Sequence, residues 1–251
     1  MNHPIDRRAH RRRSSGSRWQ EHNSARQNLI MSAAADLIEE HRPGAEISIQ
    51  QIAQRAGLAR SVVYRQFDNR EDLDAHVREF ILGRYLAEFE SLLVLDPTGT
   101  IEAIIADVMR AVVRWAAAHP TLYRFGQAGP VHGHAAGETS LSIARHHIAE
   151  LLWQRLSSWT AVLGIDVEPF HPLAYGLAGM VEGVVTHYID TPAATRSDEE
   201  TIVAMLSGSV WHLFSGHAAE HGFRFEPSDN AAALLGELFA EAAKGRQHTD
   251  D

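Results

Sequence analysis

Two helix-start signals coincide between Ile47 and Ile52, and no other feature of the chain constrains its fold as tightly. Ser48 and Gln51 have the spacing of a capping box, in which each side chain satisfies a backbone N–H at the helix start. Ile47 and Ile52 flank the same turn as a hydrophobic staple, which sets the angle at which the chain joins the helix. The helix this predicts runs to about Ala56. Gly57 then supplies the left-handed backbone that permits a sharp turn. A second short helix is expected from about Arg60 to Phe67. Its Leu58, Val63 and Phe67 side faces Ile52 and Ala53, and Arg60, Ser61, Tyr64 and Arg65 fall on the other side. Two short helices joined at a glycine, the second with a polar outer face, make a helix-turn-helix.

The rest of the chain reads as helical too. Ser24 and Gln27 have capping-box spacing, and Leu29, Ile30, Ala33, Ala34, Leu37 and Ile38 repeat at helical intervals up to Pro43-Gly44. Asn69 caps a long fourth helix with Leu73, Val77, Phe80, Ile81, Tyr85, Phe89, Leu92 and Leu93 as its stripe, ending near Asp96-Pro97. Further helices are expected at about 100 to 118, 120 to 127, 140 to 163, 172 to 189, 198 to 221 and 228 to 244. No strand alternation of useful length, glycine-rich phosphate loop or fixed repeat interrupts them. The fold class expected is all-α: a three-helix helix-turn-helix domain over residues 23–72, then a larger helical domain over 73–245. Residues 1–22, polar and Arg-rich, are expected to be a flexible arm, and 246–251 a disordered tail.

The net charge of −9 weighs against nucleic acid until it is divided along the chain. Residues 1–80 hold 13 Arg against 11 acidic residues, while 81–251 hold 10 basic against 21 acidic. Attraction to phosphate decays over a Debye length of roughly 8–10 Å, so an acidic body leaves a less acidic module free to touch DNA. The chain has no cysteine, which excludes disulfides, thiolate metal sites and thiol catalysis. No apolar run approaches the ~20 residues of a membrane span. A cytoplasmic protein with no membrane partner is expected. The rival class, an enzyme or metalloprotein, draws on 16 histidines. His132 and His134 lie in a glycine-rich loop, His146 and His147 point to different faces, and His212 and His217 have the wrong helical spacing for a metal pair. No nucleophile elbow is visible. No catalytic residue, metal or cofactor is expected.

The stretch ISIQQIAQRAGLARSVVYRQFDNREDL, Ile47 to Leu73, resembles the DNA-binding signature of the TetR family of regulators. It has an Ile-Ala pair opening the second helix, Ala-Gly before the turn, a Tyr near the end of the recognition helix, and Phe followed by an acidic residue and Leu at the fourth helix. Ala59 departs from the pattern where a capping Ser or Thr is usual, and Arg70 where Lys is common. The resemblance implies sequence-specific binding to double-stranded operator DNA by a homodimer, most often a repressor released by a small-molecule effector. An activator, or a regulator without an effector, is the alternative.

The chemistry of reading DNA selects candidates on the helix-turn-helix. A helix in the major groove needs long donors and short polar groups on its outer face. Arg60 suits a guanine or phosphate, with Ser61 beside it, Val62 adjoining and Arg65 further along. Tyr64 can donate its hydroxyl to a phosphate. Gln50, Gln51 and Arg70 are positioned for the backbone. For the remainder, the resemblance implies a pocket within helices 4 to 8, for which Trp115, Tyr123, Phe125, Trp153, Trp159 and Met180 are the apolar candidates. It also implies a four-helix dimer interface from residues 172–189 and 198–221. Gly176, Gly179 and Gly183 lie along one side of the first of these helices, where each glycine costs about 1 kcal/mol relative to alanine and so asks for a close neighbour. Val184, Leu206 and Val210 complete that candidate interface.

Overall fold

The computed structural model describes residues 7–42, 44–92, 99–135, 137–163, 171–220, 224 and 226–230, with the backbone alone at 7–23, 91–92, 155–156 and 158–163. The helix expected at 228–244 and the tail at 246–251 lie outside or almost outside these residues. Among the described residues there is no strand, and one isolated bridge pairs Thr100 with Asn230.

The first helix, α1 (Arg7–Glu40), begins far upstream of Ser24. Residues 7–22 are therefore helical rather than a flexible arm. Six Arg favour a helix over this stretch and no proline follows Pro4 until Pro43, so the pattern that suggested a start at Ser24 falls inside a longer helix that also runs through Gly16. Ile30, Ala34, Leu37 and Ile38 are buried as the periodicity requires, whereas Leu29 stays 53% exposed.

In α2 (Ile49–Arg55) the capping box is complete: Gln51 N–H donates to Ser48 Oγ at 3.2 Å, and Ser48 N–H donates to Gln51 Oε1 at 2.8 Å. The helix ends in a Schellman motif. Leu58 N–H donates to the Ala53 carbonyl at 2.9 Å and Gly57 N–H to the Gln54 carbonyl at 3.2 Å, with Gly57 at φ +67°. The next helix, α3 (Arg60–Val63), is shorter than expected. Ala59 provides no side-chain cap, Val62 and Val63 are β-branched, and residues 64–67 continue only as tight turns closed by Gln66 N–H on the Val63 carbonyl at 2.9 Å.

Asn69 caps α4 (Arg70–Leu92) through Asp72 N–H, at 2.8 Å. There follow α5 (Ile101–Ala118), α6 (Pro120–Gln127), α7 (Ser140–Leu163), α8 (His171–Asp190) and α9 (Glu199–Glu220). Two cores organise them. In the first, Ile30, Leu37 and Ile38 of α1 meet Ile52 and Ala53 of α2, Val63, Phe67, and Leu73, Val77 and Ile81 of α4, with Leu122 from α6. The second joins Phe89 of α4 to Val112 and Val113 of α5, Tyr123 of α6, Val181 and Val185 of α8, and Val203 and Leu206 of α9. Each fully buried aliphatic residue contributes about 1.5–3 kcal/mol over its exposed state.

The two cores share helices rather than meeting at a linker. The division expected between residues 72 and 73 falls just inside α4, whose Leu73, Val77 and Ile81 pack with the helix-turn-helix and whose Phe89 packs with the body. Within α6 the switch takes one residue, Leu122 to Tyr123. No described helix is long and apolar enough to cross a membrane.

Candidate functional site

The outer face of α3 and its following turn is exposed at Arg60, Ser61, Tyr64 and Arg65, with Val62 half-buried beneath them. Burial of Val63 and Phe67 on the opposite side fixes which way this face looks. Tyr64 is 49% exposed, and Arg60 Nη2 donates to its hydroxyl at 2.8 Å with the guanidinium carbon 5.2 Å from the ring centre. The pair thus presents an ordered cation and hydroxyl one helical turn apart.

The other candidates of this face divide. Gln50 is exposed. Gln51 holds the α2 cap with its side-chain oxygen, which leaves its N–H2 end to point outward. Arg70 binds inward: Nε lies 2.9 Å from both Asp74 carboxylate oxygens and Nη1 donates to the Ile47 carbonyl. It therefore ties the start of α4 to the chain leading into α2, a positioning role that sequence spacing did not indicate. Arg55 pairs with Glu40 through Nη1 to Oε1 at 2.8 Å and holds that carboxyl below its usual range.

Inside the body lies a cavity of about 180 Å³. Tyr85 and Phe89 of α4, Val108, Met109, Val112 and Trp115 of α5, Tyr123 of α6, Arg145 and Ile148 of α7, Val181 and Glu182 of α8 and Val210 of α9 are among its walls. Of the sequence candidates, Trp115 and Tyr123 line it. Phe125 does not: two residues past Tyr123 on a helix, it turns away, and the Arg78 guanidinium carbon lies 4.7 Å from its ring. Trp153 is buried against His171, ring centres 4.7 Å apart, and Met180 packs on the core without reaching the cavity. The side chain of Trp159 lies outside the described residues.

The cavity is apolar with two polar stations. Arg145 Nη1 donates to Glu182 Oε2 at 2.8 Å, and Tyr123 shares a 2.8 Å hydrogen bond with Thr186. Burial pushes the Tyr123 phenol up to about 12, and burial raises Tyr85 as well. Both therefore stay neutral near pH 7 and offer hydroxyl groups rather than charge. Arg145 and Glu182 were missed by sequence reasoning, since only the packing of α7 on α8 brings them together.

The expected interface residues also divide. A Cβ built on Gly176 or Gly183 meets nothing within 4 Å, so this side of α8 is open; on Gly179 it meets Arg145 Cδ at 3.7 Å. Leu206 is 1% exposed and belongs to the subunit core, Val184 packs partly on that core, and Val210 lines the cavity. Leu206 is thus removed from the interface: the Val203, Leu206 and Val210 stripe of α9 is the one α5 covers. The outward positions of α9 are instead Met205 and Phe214, 47% and 39% exposed, with Gly208 and Gly216 open. Sequence reasoning also passed over Asp72 and His76, which the fold brings against His132.

Residues 30–77 match the family model described as bacterial regulatory proteins, tetR family. An uncharacterized HTH-type transcriptional regulator of Mycobacterium tuberculosis is 25% identical over 194 residues, covering 77% of this chain and 80% of its own. A tetR-family transcriptional regulator from Streptomyces coelicolor superposes with a TM-score of 0.57 at 19% identity, over 88% of this chain and 89% of that one. A TetR-like transcriptional regulator from Rhodococcus sp. RHA1 does so with a TM-score of 0.50 at 16% identity, over 76% and 96%. At these identities the structural likenesses speak to the fold.

Proposed function

We propose how this chain, a TetR-family transcriptional regulator, converts occupancy of its cavity into a change on DNA: it is a homodimeric repressor released from its operator by a small, mainly apolar effector. The observation that carries this reading is the sharing of α4 and α6 between the two cores. Leu73 and Val77 of α4 are buried with the helix-turn-helix while Tyr85 and Phe89 line the cavity; Leu122 and Tyr123 of α6 do the same within one turn. From Val77 to Phe89 a helix spans roughly 18 Å at ~1.5 Å per residue, so a displacement at the cavity reaches the DNA-reading helix through one rigid element.

On this reading Arg60, Ser61, Tyr64 and Arg65 face the major groove, with Gln50 and the α2 amides on phosphate. Residues 23–72 act as the DNA-binding unit and 73–245 as the effector-binding and dimerisation unit. The partner subunit covers the open side of α8 and α9, where Gly176, Gly183, Gly208, Met205 and Phe214 lie. The two recognition helices must then match half-sites about one turn, ~34 Å, or a multiple apart. A volume of about 180 Å³ is small beside the ~300–1,000 Å³ of typical ligand sites. It favours a compact apolar molecule with one polar group able to reach Tyr123 or the Arg145–Glu182 pair.

Selection of bound genomic fragments, followed by polarisation titrations of the selected operator with a panel of such compounds, tests the reading. A member of the panel that weakens operator binding and whose affinity falls when the cavity is altered by Tyr123→Phe supports it. Operator binding indifferent to every compound that demonstrably occupies the cavity would overturn effector release.

A further inference from the structure

We infer that Asp72, His76 and His132 form a binding site for a divalent transition-metal ion of the zinc type, which fastens the start of α4 to the loop between α6 and α7. One donor atom from each residue lies within 4.8 Å of the others. His76 Nδ1 is 3.3 Å from Asp72 Oδ1, and His132 Nδ1 is 3.9 Å from the same oxygen. Ligands roughly 2.0–2.2 Å from a tetrahedral ion sit roughly 3.3–3.6 Å from one another, so the first pair already has the required separation. Rotation of the exposed His132 ring brings in the third. Two imidazoles and a carboxylate are a donor set that suits zinc and its first-row neighbours rather than calcium or magnesium.

The surroundings hold these groups in place independently of any ion. Asp72 Oδ2 accepts the Asp68 N–H at 2.9 Å, which turns Oδ1 toward the histidines. Phe67 packs edge-on against His76 at 5.1 Å, whereas the stack of the His76 and His132 rings at 3.6 Å is the contact that rotation of His132 gives up when an ion binds. His132 N–H donates to the Ala75 carbonyl at 3.2 Å. The buried Arg78 side chain of α4 donates to the carbonyls of Phe125, in α6, and of Pro130, in the loop, at 3.1 and 3.2 Å. A Cβ on Gly129 would come 2.9 Å from its guanidinium carbon, so glycine there permits the loop to close on α4. Such outer contacts orient metal ligands. Without an ion, His76 Nδ1 faces both the carbonyl oxygen of Asp72, at 2.8 Å, and its carboxylate. A cation at Nδ1 takes the place of the proton held there, and the neutral ring carries that proton on Nε2 instead. The half-exposed His132 leaves a path for the ion and room for water as a fourth ligand.

The site bridges Asp72 and His76, in the first turns of α4, and the loop whose Val131 packs with Leu82 of α4 and Ala144 of α7, so a bound ion fastens that loop to the start of α4. Its existence does not depend on the effector proposal, because it is tested without DNA or effector. The full-length protein, free of affinity tag and pre-treated with chelator, is titrated calorimetrically with zinc chloride. One zinc per chain is expected, with at least about tenfold weaker binding in His132→Ala and in Asp72→Asn. Zinc should also raise the melting temperature of the wild type and not that of His132→Ala. Nitrogen-15 spectra of the wild-type imidazoles, which need no variant, should show two of the 16 histidines shifted together on zinc addition. No zinc uptake by the wild type, or uptake unaltered by both substitutions with other histidines shifting instead, would overturn the site.

Discussion

Arg60 and Tyr64 hold each other before either meets DNA. The guanidinium donates to the phenol oxygen at 2.8 Å, and binding a phosphate or guanine must share or replace that bond. Removing the hydroxyl with Tyr64→Phe frees the guanidinium and deletes one donor; Arg60→Ala deletes the charge and leaves the tyrosine without its partner. A good bidentate base contact is worth about 1–3 kcal/mol, so Arg60→Ala should weaken operator binding at least about fivefold and Tyr64→Phe by less. The double variant should lose less than the sum of the two, because the residues are coupled. A mobility-shift titration in which neither single change alters affinity would remove this face from the DNA contact. The polar outer face was legible because the apolar residues left only one way for α3 to lie. Arg70 was not: its charge suggested phosphate, yet Asp74 and the Ile47 carbonyl compete for it at close range.

At the scale of elements, local chemistry decides boundaries where it is strong. Ser48→Ala removes the Oγ half of the capping box, leaving the backbone N–H of residue 48 on Gln51 Oε1, and should lower stability by about 1 kcal/mol, within a range of ~0.5–2, read as a lowered melting temperature with operator contacts otherwise intact. An unchanged melting curve would mean that packing of Ile52 and Ala53 alone sets the start of α2. Where local signals were weak the chain did otherwise: α3 stopped early without a cap, and α1 ran on through Ser24 because no proline lies between Pro4 and Pro43. The glycines of α8 show the same limit of periodicity. All three lie near one stripe, but helical geometry turns Gly179 toward Arg145 and leaves Gly176 and Gly183 open. Gly183→Leu should therefore shift the dimer toward monomer in light scattering without loss of helix. Gly179→Leu should instead disturb the Arg145–Glu182 station and the fold of the subunit. A dimeric Gly183→Leu protein of native stability would place the interface elsewhere.

For the whole molecule the question is how two cores joined by α4 and α6 exchange free energy. The all-α plan was legible because helical periodicity and breakers recur along the chain. Of the cavity, Trp115 and Tyr123 were legible as apolar candidates, but the Arg145–Glu182 station was not, since it comes from α7 and α8, whose pairing no short-range pattern encodes. If the effector and the operator each favour a different setting of α4, their affinities are linked. The coupling is typically ~1–3 kcal/mol, or roughly 5- to 150-fold, and thermodynamics makes it the same in both directions. An effector that weakens operator binding twentyfold must itself bind the operator complex about twentyfold more weakly than the free dimer. Calorimetric titration of the effector into free protein and into preformed complex, at one salt concentration, measures both arms. Equality of the two factors is expected. Unequal factors would show that the compound competes for DNA or dissociates the dimer rather than acting through the shared helices. Equal factors near one, for a compound that fills the cavity, would mean that Tyr85 and Phe89 move without carrying Leu73 and Val77 with them.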